Sequence, residues 1–476
     1  MFSPSSRGKD GSGGPLGNMN SDESSALRRA SPMNALICGV GEYVTGYTPA
    51  GGSKSDKSLG VVGLVHFDLR RRGLIGPRIA LCGTNGNKFE EIRAHLVSKI
   101  DFTNLNGRGD YADEDNHNQL RFDQFPKPGV ARDPRAYVEA INSFKPGDVC
   151  SVFTPDDTHF DICLAALDRG LHVMVTKPMV KTLAEHRQLV DKAREKNVLL
   201  QIEVHKRFDP IYNDARQRVN CQLGDFNFFT SYMSQPKFQL DTFRAWAGLS
   251  SDISYYLNSH HIDLHVWMMQ GKARCVSVCA TASSGVAEEE YFSTEPGRKC
   301  EDTITLMAEW ESSKEDSTGK RHRGHATYTA SWTAAKADVH SQQRFFCLMS
   351  NGEVTADQCH RGYTLAGDGT NGLQSLNPLY IRNVPDSEGK YCGQSGYGYV
   401  SFEKFVEAAA EINAGKKTAA DFDKALPTGR VTLMMTAILE AGRISLDNDG
   451  KKVKLEYEDD GTSKVSEDCS GLKLMA

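Results

Sequence analysis

Between residues 149 and 178 the chain alternates a strand-like run, a helix-like run and a second strand-like run, which restricts the fold more than any other stretch. Val149 to Phe153 is a short apolar run suited to full burial. It leads into Thr154-Pro155-Asp156-Asp157-Thr158-His159. Asp161 to Gly170 carries apolar positions at Ile162, Leu164, Ala165 and Leu167 and is stopped by the glycine, which predicts a helix. Leu171 to Val175 predicts a second buried strand, and it delivers Lys177 with its exit fixed by Pro178. Strand–helix–strand units build parallel sheets, and ligands bind beyond the carboxyl ends of such strands. A Lys-Pro pair alone is an ordinary solvated turn. At the end of a buried parallel strand it is where a lysine can act on a carbonyl or an alcohol.

A chain of 476 residues is expected to form two domains. The predicted division is a disordered tail over 1–32, a dinucleotide-binding domain over 33–205, an α+β domain for substrate and oligomer contacts over 206–446, and a C-terminal extension over 447–476. The tail is rich in Ser, Gly and Pro without periodicity. Asp10, Asp22 and Glu23 argue against a transit peptide, and no apolar signal core is present, so a cytoplasmic location is expected. A net charge of -5 with interspersed signs offers no footprint for nucleic acid, and no apolar run is long enough for a membrane span. Cys38, Cys82, Cys150, Cys163 and Cys347 lie in apolar runs without a CxxC pair, which reads as buried reduced thiols.

Ala35 to Cys38 predicts the first strand, and Gly39-Val40-Gly41 begins the turn of a dinucleotide fingerprint, where glycines let the backbone approach a pyrophosphate. The third glycine is missing: Val44 stands in its place and Gly46 follows two residues late. Ser53 to Arg72 carries a broad apolar stripe that predicts a helix, with Asp68 on its solvated polar face. The second strand, Arg78 to Cys82, ends at Gly83-Thr84-Asn85-Gly86. A carboxylate there would accept from the ribose hydroxyls of NAD. None is present, and Thr84, Asn85, Lys88 and Arg93 offer donors to a 2′-phosphate, so NADP is favoured over NAD. Further units are predicted at Pro134 to Phe144 (helix), Leu183 to Lys196 (helix) and Val198 to Val204 (strand), followed by His205-Lys206-Arg207-Phe208-Asp209-Pro210. Asn104 to Asn118 reads as a surface excursion, and polar loops are expected at Ser283 to Lys299 and Glu311 to Gly324. Thr303 to Met307 and His325 to Trp332 read as half-buried strands.

TPxxxH, a strand ending in KP, a helix, a strand and xxRFxP together resemble the Gfo/Idh/MocA oxidoreductases, which include glucose–fructose oxidoreductase and inositol dehydrogenase. The opening CGVGEYVTGY is similar to a eukaryotic branch that itself resembles a streptomycin-biosynthesis oxidoreductase. The resemblance spans roughly residues 34 to 270, as a set of motifs, and more loosely reaches Ala437 to Ala441. It implies an α/β fold: an N-terminal Rossmann domain plus a C-terminal α+β domain with an open, mostly antiparallel sheet that often serves homo-oligomer contacts. It places the family's EKP lysine at Lys177, its nicotinamide-side strand end at Thr154 and Pro155, and the following histidine at His159. A second signature, DxGxHxxD, falls on Tyr256 to Asp263, so that His260 takes the catalytic histidine's position and Asp263 the later acid's. Tyr256 stands where the first aspartate belongs, so the usual lysine–aspartate–histidine relay is altered.

The sites implied are thus Lys177, His260 and Tyr256 for catalysis, Gly39, Gly41, Thr84, Asn85, Lys88, Thr154, Pro155 and His159 for NADP or NAD, and Arg207 and Asp263 for substrate. No metal site is expected: His261 and His265 lie four apart but lack the glutamate of a zinc-protease helix, and packing explains them. The function implied is hydride transfer between the nicotinamide and a sugar, polyol or related hydroxy or keto compound. The alternative is a regulator that senses a small ligand or nucleotide on the same fold without chemistry.

Overall fold

The computed structural model describes residues 32–48, 51–53, 57–100, 120–339, 341–367, 372–377, 379–380, 382–385, 391–457 and 471–475. The predicted tail, except Pro32, and the predicted excursion at Asn104 to Asn118 lie outside them.

The first sheet is built from β1 (Ala35–Cys38), β2 (Ile79–Cys82), β3 (Asp123–Phe125), β4 (Val149–Val152), β5 (His172–Thr176) and β6 (Leu200–Glu203). Its order is β3-β2-β1-β4-β5-β6, parallel throughout. Period-2 alternation sends Leu36, Cys38, Cys150 and Val152 to one buried face and Ala35, Ile37, Ile79 and Val149 to the other. Burial on both faces is why these strands read as unbroken apolar runs. The crossover helices are α1 (Glu42–Thr45), α2 (Val62–Arg71), α3 (Phe89–Lys99), α4 (Ala136–Asn142), α5 (His159–Asp168) and α6 (Leu183–Lys196). Thr182 caps α6 by accepting from the Glu185 N–H, and Asn197 ends it in the left-handed region at φ 49°.

The predicted helix over Ser53 to Arg72 is corrected. α1 is a single turn closed by Gly46, a two-strand ladder pairs Tyr47–Thr48 with Gly51–Gly52, and α2 begins only at Val62. The missing third glycine has substitutes: a Cβ on Gly60 or Gly63 would lie 2.5 or 2.7 Å from the Val44 carbonyl oxygen. Close packing against the fingerprint turn is thus supplied from downstream. Asp68 is also corrected. It is fully buried, pairs with Arg71 at 2.7 Å and accepts from the Tyr399 hydroxyl at 2.9 Å.

α7 (Pro210–Cys221), capped by Asp209 with Pro210 in its first turn, leads into the second sheet. That sheet comprises β7 (Phe226–Pro236), β8 (Ala273–Ser284), β9 (Glu301–Glu315), β10 (Arg321–Ala334), β11 (Gln342–Met349), β12 (Gly352–Asp357), β13 (Val453–Glu456) and β14 (Lys473–Met475), in the order β12-β11-β7-β10-β9-β8-β13-β14. Only the β7–β10 pair is parallel; the rest are antiparallel. The loop expected at Glu311 to Gly324 shrinks to a turn between β9 and β10, held by Asp316, whose carboxylate accepts from the main-chain N–H groups of Thr318 and Lys320. The loop expected at Ser283 to Lys299 contains a short helix, Val286–Glu290.

α8 (Ser259–Met269) and α10 (Leu433–Asp447) belong to the same apolar cluster as this sheet's inner face, and that cluster continues into one face of the first sheet. α9 (Tyr397–Asn413) instead joins the core on the opposite face of the first sheet, beside α2 and α3. No helix among the described residues is long and apolar enough to cross a membrane.

Candidate active site

The carboxyl ends of β4, β5 and β6 face the start of α8, and the side chains singled out from the sequence gather there. β5 hands the chain to Lys177 and Pro178. His159, the first residue of α5, is fully buried: one ring nitrogen meets the Thr154 carbonyl at 2.8 Å, the other the Pro178 and Met179 carbonyls at 3.0 and 3.1 Å. Both nitrogens are taken by main chain. His159 therefore ties the strand end at Thr154 and Pro155 to the Lys177-Pro178 turn, a holding contact in the place where a cofactor contact was expected. The Thr154 hydroxyl accepts from the Thr158 hydroxyl at 2.7 Å.

Lys177 projects onto Tyr256. Its Nζ donates to the Tyr256 carbonyl and lies 4.1 Å from the centre of the Tyr256 ring. Ser254–Asn258 forms a π-helical turn just before α8, a local irregularity frequent at functional sites. The Tyr256 ring stacks on Trp332 at 5.5 Å and contacts Trp246 and Phe243. Where the family motif has a carboxylate, Lys177 thus meets an aromatic face and a carbonyl. Burial pulls its amine down to about 7, against the opposing pull of the Asp156 and Glu203 carboxylates.

His260, one residue into α8, is 7 % exposed, and its Nδ1 is buried without a partner among the described residues. Burial first, then the nearby charges of Lys177 and Lys206, hold its pKa well below the ordinary histidine value, so the ring is neutral. A neutral imidazole with an uncommitted nitrogen can accept a proton. His261 and His265 are buried in the core, His265 stacked on Phe229 at 4.3 Å with Nδ1 against the Tyr328 hydroxyl.

Arg207 and Asp263 are brought together with each other. Nε and Nη2 of Arg207 donate to Asp263 at 2.8 and 2.6 Å, with side chains only 5 % and 1 % exposed. The pair clamps α8 to the turn after β6. Lys206 is buried too, donating to Gln343 and Gln358. Sequence reasoning missed Glu203, Tyr380 and Tyr397, which surround His205. The one legible signal was Glu203, a carboxylate closing an otherwise buried strand.

On the cofactor side, Gly39 has φ 114°, and a Cβ there would sit 2.1 Å from the Phe153 carbonyl oxygen. Gly41 differs: its φ is −76°, open to any residue, and a Cβ there would meet nothing within 4 Å. The protein's own packing does not require that glycine, whereas the close approach of a pyrophosphate does. Thr84 and Lys88 are exposed at the end of β2, and the Asn85 carboxamide oxygen accepts from the Asn87 N–H at 2.9 Å. Arg93 is engaged elsewhere, donating to the Phe122 carbonyl at 2.9 Å and lying 3.9 Å over its ring. Asp133 reaches the end of β2 through its main chain, donating to the Thr84 carbonyl at 2.7 Å, while its carboxylate caps Arg135.

The site thus joins a glycine-lined turn after β1, a half-buried lysine at the end of β5 and a histidine at the start of α8 whose Nδ1 has no partner among the described residues. Residues 78–204 match the oxidoreductase family with an NAD-binding Rossmann fold, Gfo/Idh/MocA. The match covers the part of the chain that builds β2 to β6 of the first sheet. The chain is 29% identical over 147 residues to an uncharacterized oxidoreductase of Escherichia coli, covering 30% of this chain and 42% of that protein. It is 36% identical over 74 residues to the scyllo-inositol 2-dehydrogenase (NAD(+)) of Bacillus subtilis, 16% of this chain and 22% of that one. It is 34% identical over 114 residues to the D-glucoside 3-dehydrogenase of Escherichia coli, 24% and 31% of the two chains. These matches span less than half the length of each relative. The fold is shared more widely. The myo-inositol 2-dehydrogenase of Lactobacillus plantarum superposes with a TM-score of 0.56 at 17% identity, covering 89% of this chain and 100% of that one. The scyllo-inositol dehydrogenase of Lactobacillus casei, solved with NAD(H) and scyllo-inositol, gives 0.53 at 13% identity, covering 89% and 99%.

Proposed function

We propose that this chain is an NAD(P)-dependent oxidoreductase that moves a hydride between the nicotinamide and a sugar, polyol or related hydroxy or keto compound. The observation that carries the reading is Lys177 at the end of β5, its amine pulled to about 7, opposite the partnerless nitrogen of His260. The relatives that act on inositols and glucosides support the substrate class.

Gly39, Gly41, Thr84, Asn85, Lys88, Thr154 and Pro155 would hold the dinucleotide, which supplies the hydride acceptor or donor at the nicotinamide C4. In alcohol oxidation, neutral His260 takes the hydroxyl proton, and Lys177 stabilises the negative charge building on that oxygen. In carbonyl reduction, the Lys177 ammonium polarises the carbonyl and the proton returns to the oxygen. Tyr256 positions the amine through its carbonyl and ring face.

The open space at Gly41 gives a test independent of turnover. Gly41→Val raises the dissociation constant for NADP(H), measured by nicotinamide fluorescence, at least tenfold, an effect on the order of 1.4 kcal/mol, and leaves the melting temperature unchanged. Unchanged affinity would remove the cradle assignment. NADP(H) binds more tightly than NAD(H), because Thr84 and Lys88 present donors and the Asp133 carboxylate is turned to Arg135. Thr84→Asp shifts the preference towards NAD(H), and side-by-side dissociation constants at one salt concentration check it.

The pH dependence has a definite sign. An amine titrating at about 7 is protonated below that pH and neutral above it. Lys177 acts as the ammonium in both directions, so kcat for alcohol oxidation and kcat for carbonyl reduction both fall as pH rises through about 7. A kcat in either direction that rises through that interval contradicts this role for Lys177.

The regulator reading is favoured by one observation, the aromatic ring of Tyr256 where the motif has a carboxylate. A sugar that raises the melting temperature while no compound is turned over would select it. A cytoplasmic homo-oligomer remains our reading of the assembly, with the open face of the second sheet as the contact surface; sedimentation velocity tests it.

A further inference from the structure

We infer that His205, oriented by Glu203, is a positioning and proton-relay residue that passes the reaction's proton between His260 and solvent. The inference rests on the functional reading above and adds a route that the motif residues do not contain. His260 is the group set to accept the hydroxyl proton, yet it is only 7 % exposed and its Nδ1 has no partner among the described residues. A base enclosed in this way needs an exit for each proton it takes.

His205 stands beside it, with ring centres 5.7 Å apart, a separation that one water can bridge. Glu203 closes β6, is 2 % exposed, and accepts from His205 Nδ1 at 2.9 Å. A carboxylate at Nδ1 fixes the proton there and leaves Nε2 as the acceptor, the logic by which a third group orients a catalytic base. The ring is also held in plane: Tyr397 stacks on it at 5.6 Å and Tyr380 packs at 5.3 Å. The phenols are engaged elsewhere. The Tyr397 hydroxyl accepts from Gln358 and Asn377, and the Tyr380 hydroxyl is 2.6 Å from that of Tyr43. His205 is partly exposed where His260 is buried, so the order of exposure runs from the reacting group outward. The charged and titratable groups around it are Glu203 on β6, His260 on α8, Lys177 after β5, Lys206 beside it, and the phenols of Tyr380 and Tyr397.

The balance is simple. In oxidation a bound oxidised nicotinamide would accept the hydride that leaves the substrate carbon. The O–H proton goes to His260, from there to His205 Nε2, and then to water, which restores both neutral rings. Reduction runs the same sequence backwards.

The test uses the full chain with scyllo-inositol, myo-inositol and methyl glucoside, each with NAD+ and NADP+, followed by reduced-nicotinamide absorbance. His205→Gln, which can still bond Glu203 but cannot relay a proton, should lower kcat by about tenfold or more, with KM and cofactor affinity nearly unchanged. Free imidazole should accelerate His205→Ala and leave wild type unaffected. Glu203→Gln should give a smaller kcat loss, which guards against a folding defect in the histidine variants. Wild-type kcat in His205→Gln, or a loss that tracks melting temperature and ignores imidazole, overturns the relay while leaving the oxidoreductase reading intact. Absence of turnover by wild type with every pair overturns that reading, and the relay with it.

Discussion

Lys177→Met lowers kcat by at least about a hundredfold on any polyol or sugar that the wild-type chain oxidises, and leaves the dissociation constant of the nicotinamide cofactor nearly unchanged. The substituted side chain has similar length and still covers the Tyr256 ring, so the packing survives and the charge is removed. The loss falls on kcat because the ammonium acts most where negative charge builds on the substrate oxygen, which happens in the transition state. Tyr256 divides the same question. Lys177 meets its carbonyl and its ring face, so Tyr256→Phe retains most of the activity and Tyr256→Leu does not. A large loss in Tyr256→Phe would make the phenol part of the proton path and return Tyr256 to the catalytic role that the motif suggested. Steady-state kinetics on the three variants, with cofactor binding measured separately, give the answer.

Asp263→Ala destabilises the protein by about 3–5 kcal/mol, because it leaves the Arg207 guanidinium buried without its counter-charge. The pair is 5 % and 1 % exposed and doubly bonded, so bulk solvent is poorly placed to replace the carboxylate. Removing both charges together, as Arg207→Met with Asp263→Leu, costs far less than either single change. Chemical denaturation measures the cycle. If Asp263→Ala keeps wild-type stability and instead raises KM, the two residues belong to the substrate, as the motif alone suggested.

The parallel sheet was legible because doubly buried strands leave unbroken apolar runs. β1 and α6 fall where the sequence put them, and β2, β4, β5 and β6 lie within two residues of the prediction. What could not be read was set by partners far along the chain. Asp68 sits on the polar stripe of α2 by local pattern, but α9 returns 331 residues later to cover it with Tyr399. The same distance hides the surroundings of His205, since Tyr380 and Tyr397 reach it from beyond the second sheet. His159 was found by its motif, but which atoms its nitrogens face is decided by the Pro178 and Met179 carbonyls. The start of α2 was misread because apolar periodicity runs through Leu59 while Gly60, at φ 66° against the Val44 carbonyl, delays the helix.

The central claim is that the lysine at the end of β5 drives hydride exchange with a polyol or sugar. The most direct measurement mixes the wild-type chain and Lys177→Met with NADP+ or NAD+ and a panel of inositols, glucosides and other polyols, following reduced nicotinamide and carbonyl product together. The account predicts equal amounts of both from wild type with at least one compound, and a rate at least about a hundredfold lower from Lys177→Met. Equal rates from the two proteins, or no cofactor reduction by wild type with any compound, would contradict it.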